Sequence, residues 1–363
     1  MTRAKNSPKT GLLKKWILWV NLTFILLLVL TYITPLVSAE KWGWLTLLTL
    51  TYPFIMLTNG AFACGWFFMR SRYALLSLIT MLGGMSIHIN YFKLFSLHRS
   101  ASCTESVRLM SYNMRGLSMI PVKEGTGIEG KIDSVYNALN ALKEFPDILC
   151  LQEAARGDLI ANRFGMKYSL HAPKSSLWLL SRYPIIANGE LEGEETGPSC
   201  MWADIKTPQG MIRLYNMHLV SNRVTNTTEE LLQEMDLQNE TTWSNIHFIV
   251  SRYKHTTAKR AIEAQTLKEH LSKCPYPAVI AGDGNDTPLS HTYNVLAEEM
   301  NDSFRQCGSG LSTTYESSLP LLRIDYILGT TEISFKDYQT HLLHYSDHYP
   351  ISTGICLKSL NGS

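Results

Sequence analysis

The sequence predicts a chain of two parts: a membrane anchor of three transmembrane helices, followed by an α/β domain of packed sheets with flanking helices. Long apolar runs occur only in the first hundred residues, short apolar runs fill the rest, and the charge changes sign between them. Residues 1–104 hold ten Lys or Arg and one acid, a net charge of +9, whereas residues 105–363 hold 23 Lys or Arg and 30 Asp or Glu, a net charge of −7. This asymmetry indicates two bodies in different environments and excludes a basic nucleic-acid-binding scaffold that extends over the whole chain.

The anchor is predicted from three apolar runs, at residues 16–37, 44–69 and 73–95. Each run reaches or exceeds the ~20 residues that a helix needs to cross a bilayer core, and none carries a charge in its interior. The first run has an alternative, a cleavable signal peptide, but a cleavable apolar core is usually only ~7 to 15 residues long. Aromatic residues lie near the run ends, where interfacial belts are expected: Trp16, Trp42, Trp44, Trp66, Tyr73 and Tyr91.

The flanking cations predict the orientation of the anchor. Five cations precede the first run, and Arg70 and Arg72 lie between the second and third runs. Cations of this kind mark cytoplasmic flanks, although Lys93 and Arg99 oppose the assignment. An odd number of crossings then places the second part of the chain outside the cytoplasm. The sequence therefore predicts an integral protein of the cell membrane, with the lipid bilayer as a partner through three helices.

The α/β domain, residues 105–363, is predicted from short apolar runs that each end at polar residues, a pattern typical of buried strands. The runs are VRLMSYN, DILCLQE, LWLLSR, MIRLYNMHL, PAVIAGDGN and LRIDYIL. Residues 128–144 and 257–271 space their apolar side chains along one helical stripe, so each predicts a helix with one face toward the core. The polar segment 222–255 is predicted to be an insertion or lid.

Polar residues that suit metal or phosphate chemistry follow six of the apolar runs. They are Asn113, Gln152 with Glu153, Asn216 with His218, Asp283 with Asn285, Asp325, and Asp347 with His348. A single polar residue at a strand end is usually a turn or cap. Six such ends that meet at one sheet edge instead predict a functional site.

At these residues the sequence resembles the endonuclease/exonuclease/phosphatase superfamily, whose fold is that of pancreatic deoxyribonuclease, over about residues 105–357. The motifs that carry the resemblance occur in the order of the family: Ser111-Tyr112-Asn113-Met114-Arg115, Asp147-Ile148-Leu149-Cys150-Leu151-Gln152-Glu153, Asn216-Met217-His218-Leu219, Gly282-Asp283-Gly284-Asn285-Asp286, Arg323-Ile324-Asp325-Tyr326-Ile327 and Ser346-Asp347-His348-Tyr349-Pro350. The resemblance implies a four-layer α/β sandwich, with two β-sheets face to face, helices outside, and a site at one end. Gly284 replaces the usual Phe, which removes a packing side chain under that loop.

The resemblance also implies a divalent metal, Mg²⁺ or alternatively Mn²⁺. Glu153 is the predicted ligand, and Asn113 and Asp347 would complete or support the coordination. Mg²⁺ keeps several waters and is typically held by only one or two carboxylates. A zinc site is not predicted, because no pair of Cys or His has the usual spacing.

Five residues are predicted to carry the chemistry. His348 is the predicted general base and Asp325 its orienting carboxylate, although the position of Asp283 is an alternative base. His218 and Asn285 would donate hydrogen bonds to phosphoryl oxygens as negative charge develops in the transition state. Two more residues are assigned to substrate binding, namely Asn216, which would position the loop, and Arg115, which would contact phosphate or pair with an acid.

The predicted function is that of a membrane-anchored, metal-dependent phosphoesterase that hydrolyses a phosphodiester by metal-assisted attack of water. A domain of net charge −7 lacks the cationic footprint that nonspecific nucleic-acid binding needs, so lipid head groups are favoured over nucleic acid. The alternative is a catalytically idle binding or assembly protein that retains the fold. No protein partner is inferable. Of seven cysteines, five lie outside the apolar runs, and an extracytoplasmic domain would allow one or two disulfides.

Overall fold

The computed structural model of the chain describes residues 8–93, 103, 105–120, 127–142, 145–195, 197–222, 240–317 and 321–358. The first of these ranges, which we call the N-terminal region, is almost entirely helical. Its elements are α1 (Pro8–Ile33), α2 (Ala39–Trp42), α3 (Leu47–Leu50), α4 (Tyr52–Phe68), α5 (Ala74–Gly83), α6 (Met85–His88) and β1 (Phe92–Lys93). The predicted boundary at Thr104 lies outside the described residues.

The prediction of three membrane-spanning helices is wrong: the described residues contain at most two candidate spans, and the second is a candidate only if a bent helix pair crosses as one broken span. Within the described residues, Leu12–Leu36 is the one helix that is long and apolar enough to cross a bilayer. The second run is broken at Thr51, where Ala39–Leu50 and Tyr52–Phe68 meet at 58°, because Pro53 in the first turn of α4 cannot continue the preceding helix. The third run stops at the glycine pair that ends α5, which leaves a helix of ten residues.

Two of the aromatic residues assigned to interfacial belts, Trp66 and Tyr91, are buried inside the protein. The other four are exposed, namely Trp16, Trp42, Trp44 and Tyr73. Trp66 Nε1 donates to Asn21 Oδ1 at 3.0 Å, and Asn21 Nδ2 donates to Ser77 Oγ at 2.8 Å. These contacts join α1, α4 and α5, so polar side chains in the N-terminal region serve helix packing.

The second part of the chain forms two six-stranded sheets. Their strands are β2 (Val107–Asn113), β3 (Ile148–Gln152), β4 (Tyr168–Ala172), β5 (Leu177–Ser181), β6 (Ile185–Glu192), β7 (Pro198–Thr207), β8 (Gly210–His218), β9 (Ala278–Asp283), β10 (Asn301–Asp302), β12 (Asp325–Gly329), β13 (Ile333–Thr340) and β14 (Ile351–Leu357). The first sheet has the order β10-β12-β9-β8-β7-β6 and the second the order β13-β14-β2-β3-β5-β4. A separate pair joins β1 to β11 (Gly310–Leu311).

Helices cover the outer face of each sheet, which gives the predicted four layers. The helices are α7 (Gly127–Asn140), α8 (Gly157–Arg163), α9 (Glu240–Leu271), α10 (His291–Ala297) and α11 (Ser303–Cys307). Side chains of α7 and α8 pack on the sheet that contains β2, and those of α9 and α10 pack on the sheet that contains β9. The core between the sheets is apolar and fully buried, with Leu109, Leu214 and Phe335 among its members. Burial of this apolar face drives the two sheets together.

The strand register brings the predicted polar residues to one edge. β2 and β3 are parallel and align Asn113 with Gln152, while β8 and β9 are parallel and align His218 with Asp283. β12 runs antiparallel to β9, so its first residue, Asp325, lies opposite Asp283. Asp325 therefore begins a strand, and Asp347 and His348 lie in the loop before β14, rather than at strand ends as predicted.

Two differences from the predicted elements have clear causes. Residues 240–255 belong to the predicted polar insertion, yet they form the first half of the 32-residue helix α9; residues 223–239 of that insertion lie outside the described residues. The six predicted runs miss several strands, among them β4, β6, β7, β13 and β14. Alternate residues of β6 face solvent and β13 is polar in its second half, so neither of these two strands contains a continuous apolar run.

A disulfide bond joins Cys103 to Cys356, which are 253 positions apart in sequence and have their Cα atoms 5.9 Å apart. Because a cross-link stabilises mainly by restricting the unfolded chain, we expect Cys103→Ser to lower the free energy of unfolding by about 2–4 kcal/mol. Thermal unfolding in detergent measures this change. Cys64→Ser is the control, since Cys64 is a free thiol. A double Cys103→Ser and Cys356→Ser variant that is much less stable than either single variant would contradict the expectation.

Candidate active site

The candidate site lies where the two sheets meet at one edge, and Asp283 is at its centre. The Asp283 side chain is only 1% exposed and accepts hydrogen bonds from Asn113 Nδ2 at 3.0 Å and from the Asn285 backbone N–H at 2.8 Å. Asp283 Oδ2 also lies 3.7 Å from His218 Nε2 and 3.6 Å from His348 Nε2. Asn113 belongs to one sheet and Asp283 to the other, so this carboxylate connects the two halves of the site.

The strand that carries Asp283 requires glycine at the preceding position. Gly282 has φ +142°, and a Cβ atom there would lie 2.0 Å from the carbonyl oxygen of Met217 on the neighbouring strand. Only glycine adopts this backbone conformation at so close an approach. The Gly282-Asp283 pair is thereby fixed against β8, the strand that carries His218.

His348 and Asp325 form the pair that the sequence predicted. His348 Nδ1 lies 3.0 Å from Asp325 Oδ2, and the edge-on ring of Tyr315 lies 4.8 Å from the imidazole centroid. Burial alone lowers the pKa of His348, but the Asp325 and Asp283 carboxylates outweigh it and raise that pKa to about 10. Burial also raises the pKa of Asp325, an effect that the imidazolium opposes and the Asp283 charge supports.

Two of the three predicted metal ligands, Glu153 and Asp347, lie on the rim of the site, whereas Asn113 is buried. The Glu153 side chain is 42% exposed, and its Oε1 accepts from Asn113 Nδ2 at 3.2 Å and lies 3.5 Å from His218 Nε2. Glu153 follows β3 with φ +50°, a left-handed conformation that costs a non-glycine residue free energy and is often found at functional sites. Asp347 pairs with Arg115 at 2.9 Å, which places Arg115 at the rim as well.

Asn285 and Asn216 are both occupied by protein contacts. Asn285 Nδ2 donates to the Leu219 carbonyl at 2.9 Å and to Asp283 Oδ2 at 3.1 Å. The predicted hydrogen bond from Asn285 to a phosphoryl group therefore requires one of these bonds to open. Asn216 is fully buried, donates to the Leu151 and Trp178 carbonyls, and accepts from Gln152 at 2.6 Å. Its side chain holds the two sheets together and does not face the cleft.

The side chains at the centre of the site could ligate a divalent cation. Within the described residues, His218 Nε2 is a buried polar atom that has no hydrogen-bond partner, and it points between the carboxylates of Glu153 and Asp283. Hard oxygen ligands of this kind suit Mg²⁺ or Mn²⁺. A second set, made of Asp283, Asp325 and His348, offers three ligand atoms within 4.8 Å of one another. Glu153 is not a member of that set.

Two contacts behind the site were not anticipated in the sequence. A Cβ atom at Gly284 would lie 3.1 Å from the ring of Tyr326, so Tyr326 fills the space that the missing Phe side chain leaves under the loop. Tyr326 also donates its hydroxyl to the Asp286 carbonyl at 2.6 Å. Asp286 in turn pairs with the fully buried Arg260 at 3.3 Å. Asp286 belongs to one of the family motifs, so the sequence did contain a signal for its role. No pattern in the sequence indicated Tyr315.

Comparison with known proteins agrees with this geometry. The model of the endonuclease/exonuclease/phosphatase family matches residues 110–348, which is most of the chain and contains every side chain described above. The chain belongs to the endonuclease/exonuclease/phosphatase family. Residues 14–91 match a separate model described as a domain of unknown function (DUF8431). No curated protein sequence matches the chain.

Solved structures resemble the chain in fold. An endonuclease/exonuclease/phosphatase from Bacteroides vulgatus is 15% identical, with a TM-score of 0.50 over 70% of this chain and 100% of that one. A functionally unknown conserved protein from Enterococcus faecalis is also 15% identical, with a TM-score of 0.50 over 69% of this chain and 99% of its own. At this identity the likeness supports the endonuclease/exonuclease/phosphatase fold alone. Members of this family are hydrolases that act on phosphoester bonds.

Proposed function

We propose that this protein is a membrane-anchored, divalent-metal-dependent phosphoesterase that hydrolyses a phosphodiester. The observation that supports this most directly is the convergence of Glu153, His218 and His348 around Asp283, with each neighbouring pair of ligand atoms 3.5–3.7 Å apart. Two carboxylates and two imidazoles at this spacing can hold a cation, orient a phosphoryl group and move a proton.

Each side chain has a role that follows from its contacts. Glu153 would hold the metal with support from Asn113 and Asp347, and the bound cation would supply Lewis-acid stabilisation of the phosphoryl oxygens. His218 Nε2 makes no hydrogen bond within the described residues, so it can donate one to a phosphoryl oxygen. Asp283 lies where it can accept a proton from an attacking water. His348, held by Asp325, carries a proton on the side that faces Asp283.

The rival proposal is a catalytically idle binding or assembly protein. An idle domain is free to lose members of a catalytic set, whereas this chain keeps Glu153, His218, Asp283, Asp325 and His348 in mutual contact. Backbone strain at Glu153 would also have no use in such a protein, since strained conformations persist where the surrounding structure maintains them for function. The catalytic proposal is therefore favoured.

The substrate is proposed to be a phosphodiester presented near a bilayer, such as a lipid head group. The net charge of −7 over residues 105–363 repels a polyanion, and the rim cation Arg115 is paired with Asp347. Nucleic acid remains the disfavoured alternative.

A substrate panel tests the proposed function. The full chain in detergent micelles should hydrolyse at least one member of a panel of phospholipids, a chromogenic phosphodiester, DNA and RNA in the presence of Mg²⁺ or Mn²⁺. We expect phospholipid turnover to exceed DNA turnover, and His218→Ala to lower the rate by about 10²-fold or more. His171→Ala is the control, because His171 is an exposed residue of the edge strand β4, two strands away from β3. No turnover of any phosphoester would exclude the proposed activity.

Membrane anchoring and an extracytoplasmic site are also proposed. They are supported by the exposed apolar surface of α1, by the cations before it, and by the Cys103–Cys356 disulfide, since disulfides persist in oxidising compartments. A reporter that is active only outside the cytoplasm should give signal when fused after Ser363. The same reporter fused after Lys9 should give none. Signal from the second fusion alone would reverse the orientation and leave the chemistry unchanged.

A further inference from the structure

The loop that follows Asp283 is in contact with both parts of the chain. This 283–290 loop begins at Asp283 and ends at Ser290, whose hydroxyl caps α10. Thr287 Oγ1 donates to Thr49 Oγ1 at 2.7 Å, and Thr34 Oγ1 donates to the Leu289 carbonyl at 2.9 Å. Both threonine partners belong to the N-terminal region. A loop in the candidate active site is therefore bonded to residues more than 200 positions earlier in the sequence.

Apolar contacts reinforce these hydrogen bonds. Leu289 is fully buried, and the other members of its cluster come from the N-terminal region: Leu28, Tyr52, Ile55 and Tyr91. The N-terminal region therefore provides the pocket that buries Leu289. Without that pocket a leucine side chain would be exposed to water, at a cost of about 1.5–3 kcal/mol in burial free energy.

The other side of the loop is bonded to the catalytic machinery. Asn285 Nδ2 donates to both Asp283 and the Leu219 carbonyl, and Gly284 N–H donates to the Ile324 carbonyl at 2.8 Å. Asn285 has φ +51°, a conformation that its surroundings must maintain. Because Thr287 lies only four residues after Asp283, a displacement of Thr287 would also displace Asn285 and Asp283.

Asp325 has a similar connection. Arg323 is fully buried, pairs with Asp302 at 2.7 Å, and donates from Nη1 to the Asn90 carbonyl at 3.1 Å. Ser312 Oγ also donates to the Tyr91 carbonyl, at 2.9 Å. The end of the N-terminal region therefore contacts a residue two positions before Asp325.

We propose that the N-terminal region is a positioning element of the active site, in which Thr49, Thr34 and the pocket around Leu289 hold the 283–290 loop and thereby set Asp283 and Asn285. The inference rests on the proposed phosphoesterase function. It differs from tethering alone, because a tether has no effect on the geometry of the site. Catalysis is sensitive to displacements of well under 1 Å, so loss of one loop contact should lower kcat more than it changes KM.

The test uses the full chain in nanodiscs, with the chromogenic phosphodiester of the substrate panel as the probe. Thr49→Val and Thr287→Val each remove one half of the same hydrogen bond, and each should lower kcat about fivefold with KM nearly unchanged. The double variant should lose no more than either single variant, because the two groups act through one contact. Thr49→Ser, which keeps the hydroxyl, should restore kcat to within about twofold of wild type.

Thr31→Val is the matched control. Thr31 is buried in α1 and bonds to the Leu28 carbonyl of its own helix rather than to the 283–290 loop, so this variant should leave kcat unchanged. An unchanged kcat in Thr49→Val would overturn the inference. The inference would also be overturned if the losses of kcat in Thr49→Val and Thr287→Val multiplied in the double variant. An equal loss of kcat in Thr31→Val would overturn it too.

Hydrogen exchange separates this inference from the proposed function. In Thr49→Val, the amides of residues 284–290 should exchange faster than in wild type, while those of residues 107–113 should not change. Unchanged exchange in the loop would overturn the inference whatever the activity. If the wild type hydrolyses no phosphoester, the proposed function fails, and exchange still decides whether the N-terminal region holds the loop.

Discussion

Replacing His348 with alanine is expected to lower kcat/KM by about 10²–10⁴-fold, the range typical of a lost acid–base residue. His348 lies 3.0 Å from Asp325 and 3.6 Å from Asp283, and it is buried. Because Asp325 acts through the imidazole, Asp325→Asn should add little further loss once His348 is gone. The loss caused by His218→Ala should multiply with the loss caused by either of these variants, since His218 lies beside Glu153 and would act on a phosphoryl oxygen. Steady-state rates of the single and double variants measure both effects.

The pH dependence of kcat/KM shows whether His348 supports activity in its protonated or in its neutral form. Its pKa of about 10 keeps the ring protonated at neutral pH. The activity that it supports is therefore present below that pKa and lost as the pH rises through about 10. His348→Ala should remove this alkaline limb, whereas the sequence alone, with an unperturbed histidine as base, predicts removal of an acidic limb.

Another His–carboxylate pair provides the control. His344 bonds to Glu316 at 2.9 Å and is exposed, so His344→Ala should change neither the rate nor the profile. Multiplicative losses for His348 and Asp325 would show that the two residues do not act as a unit. An acidic limb that disappears with His348 would restore the base role predicted from sequence and refute a protonated His348 as the working form.

Glu153→Gln is expected to lower activity by about 10²-fold or more at ordinary metal concentrations, because the neutral amide removes the predicted cation ligand. Raising Mn²⁺ should recover part of the loss, and chelation of the wild type should abolish turnover. Glu190→Gln is the control, since Glu190 is an exposed residue of the edge strand β6. Binding of Mn²⁺ followed by electron paramagnetic resonance provides a readout that does not depend on turnover. Full activity in excess chelator would exclude the metal.

The sequence predicted the parts of the fold that depend on continuous patterns. Buried strands such as β2, β3 and β9 are apolar along most of their length, and the residues that follow them are those of the family motifs. The convergence of Asn113, Glu153, His218 and Asp283 then follows from parallel registers. The sequence alone was therefore enough to predict the family, the two packed sheets and the sheet edge at which the site lies.

The remaining features depend on contacts between distant parts of the chain. Hydropathy alone predicts that each apolar run is a helix in lipid. It contains no information on the long-range contacts that residues 39–50 make with α9, or on the burial of Tyr91 beside Leu289. The pKa of His348 depends on two carboxylates from other strands. The pairing of Cys103 with Cys356 likewise spans almost the whole domain, so no local pattern indicates it.

That disulfide also determines how the molecule carries mechanical load. Cys103 precedes the first strand of the sandwich and Cys356 lies in the last, with their Cα atoms 5.9 Å apart. A pulling force applied beyond Cys356 would pass through the sulfur bridge to Cys103 and on to the helices, and the strands between the two cysteines would bear none of it. The catalytic sandwich should therefore keep its shape under tension that would peel β14 from β2 in a reduced chain.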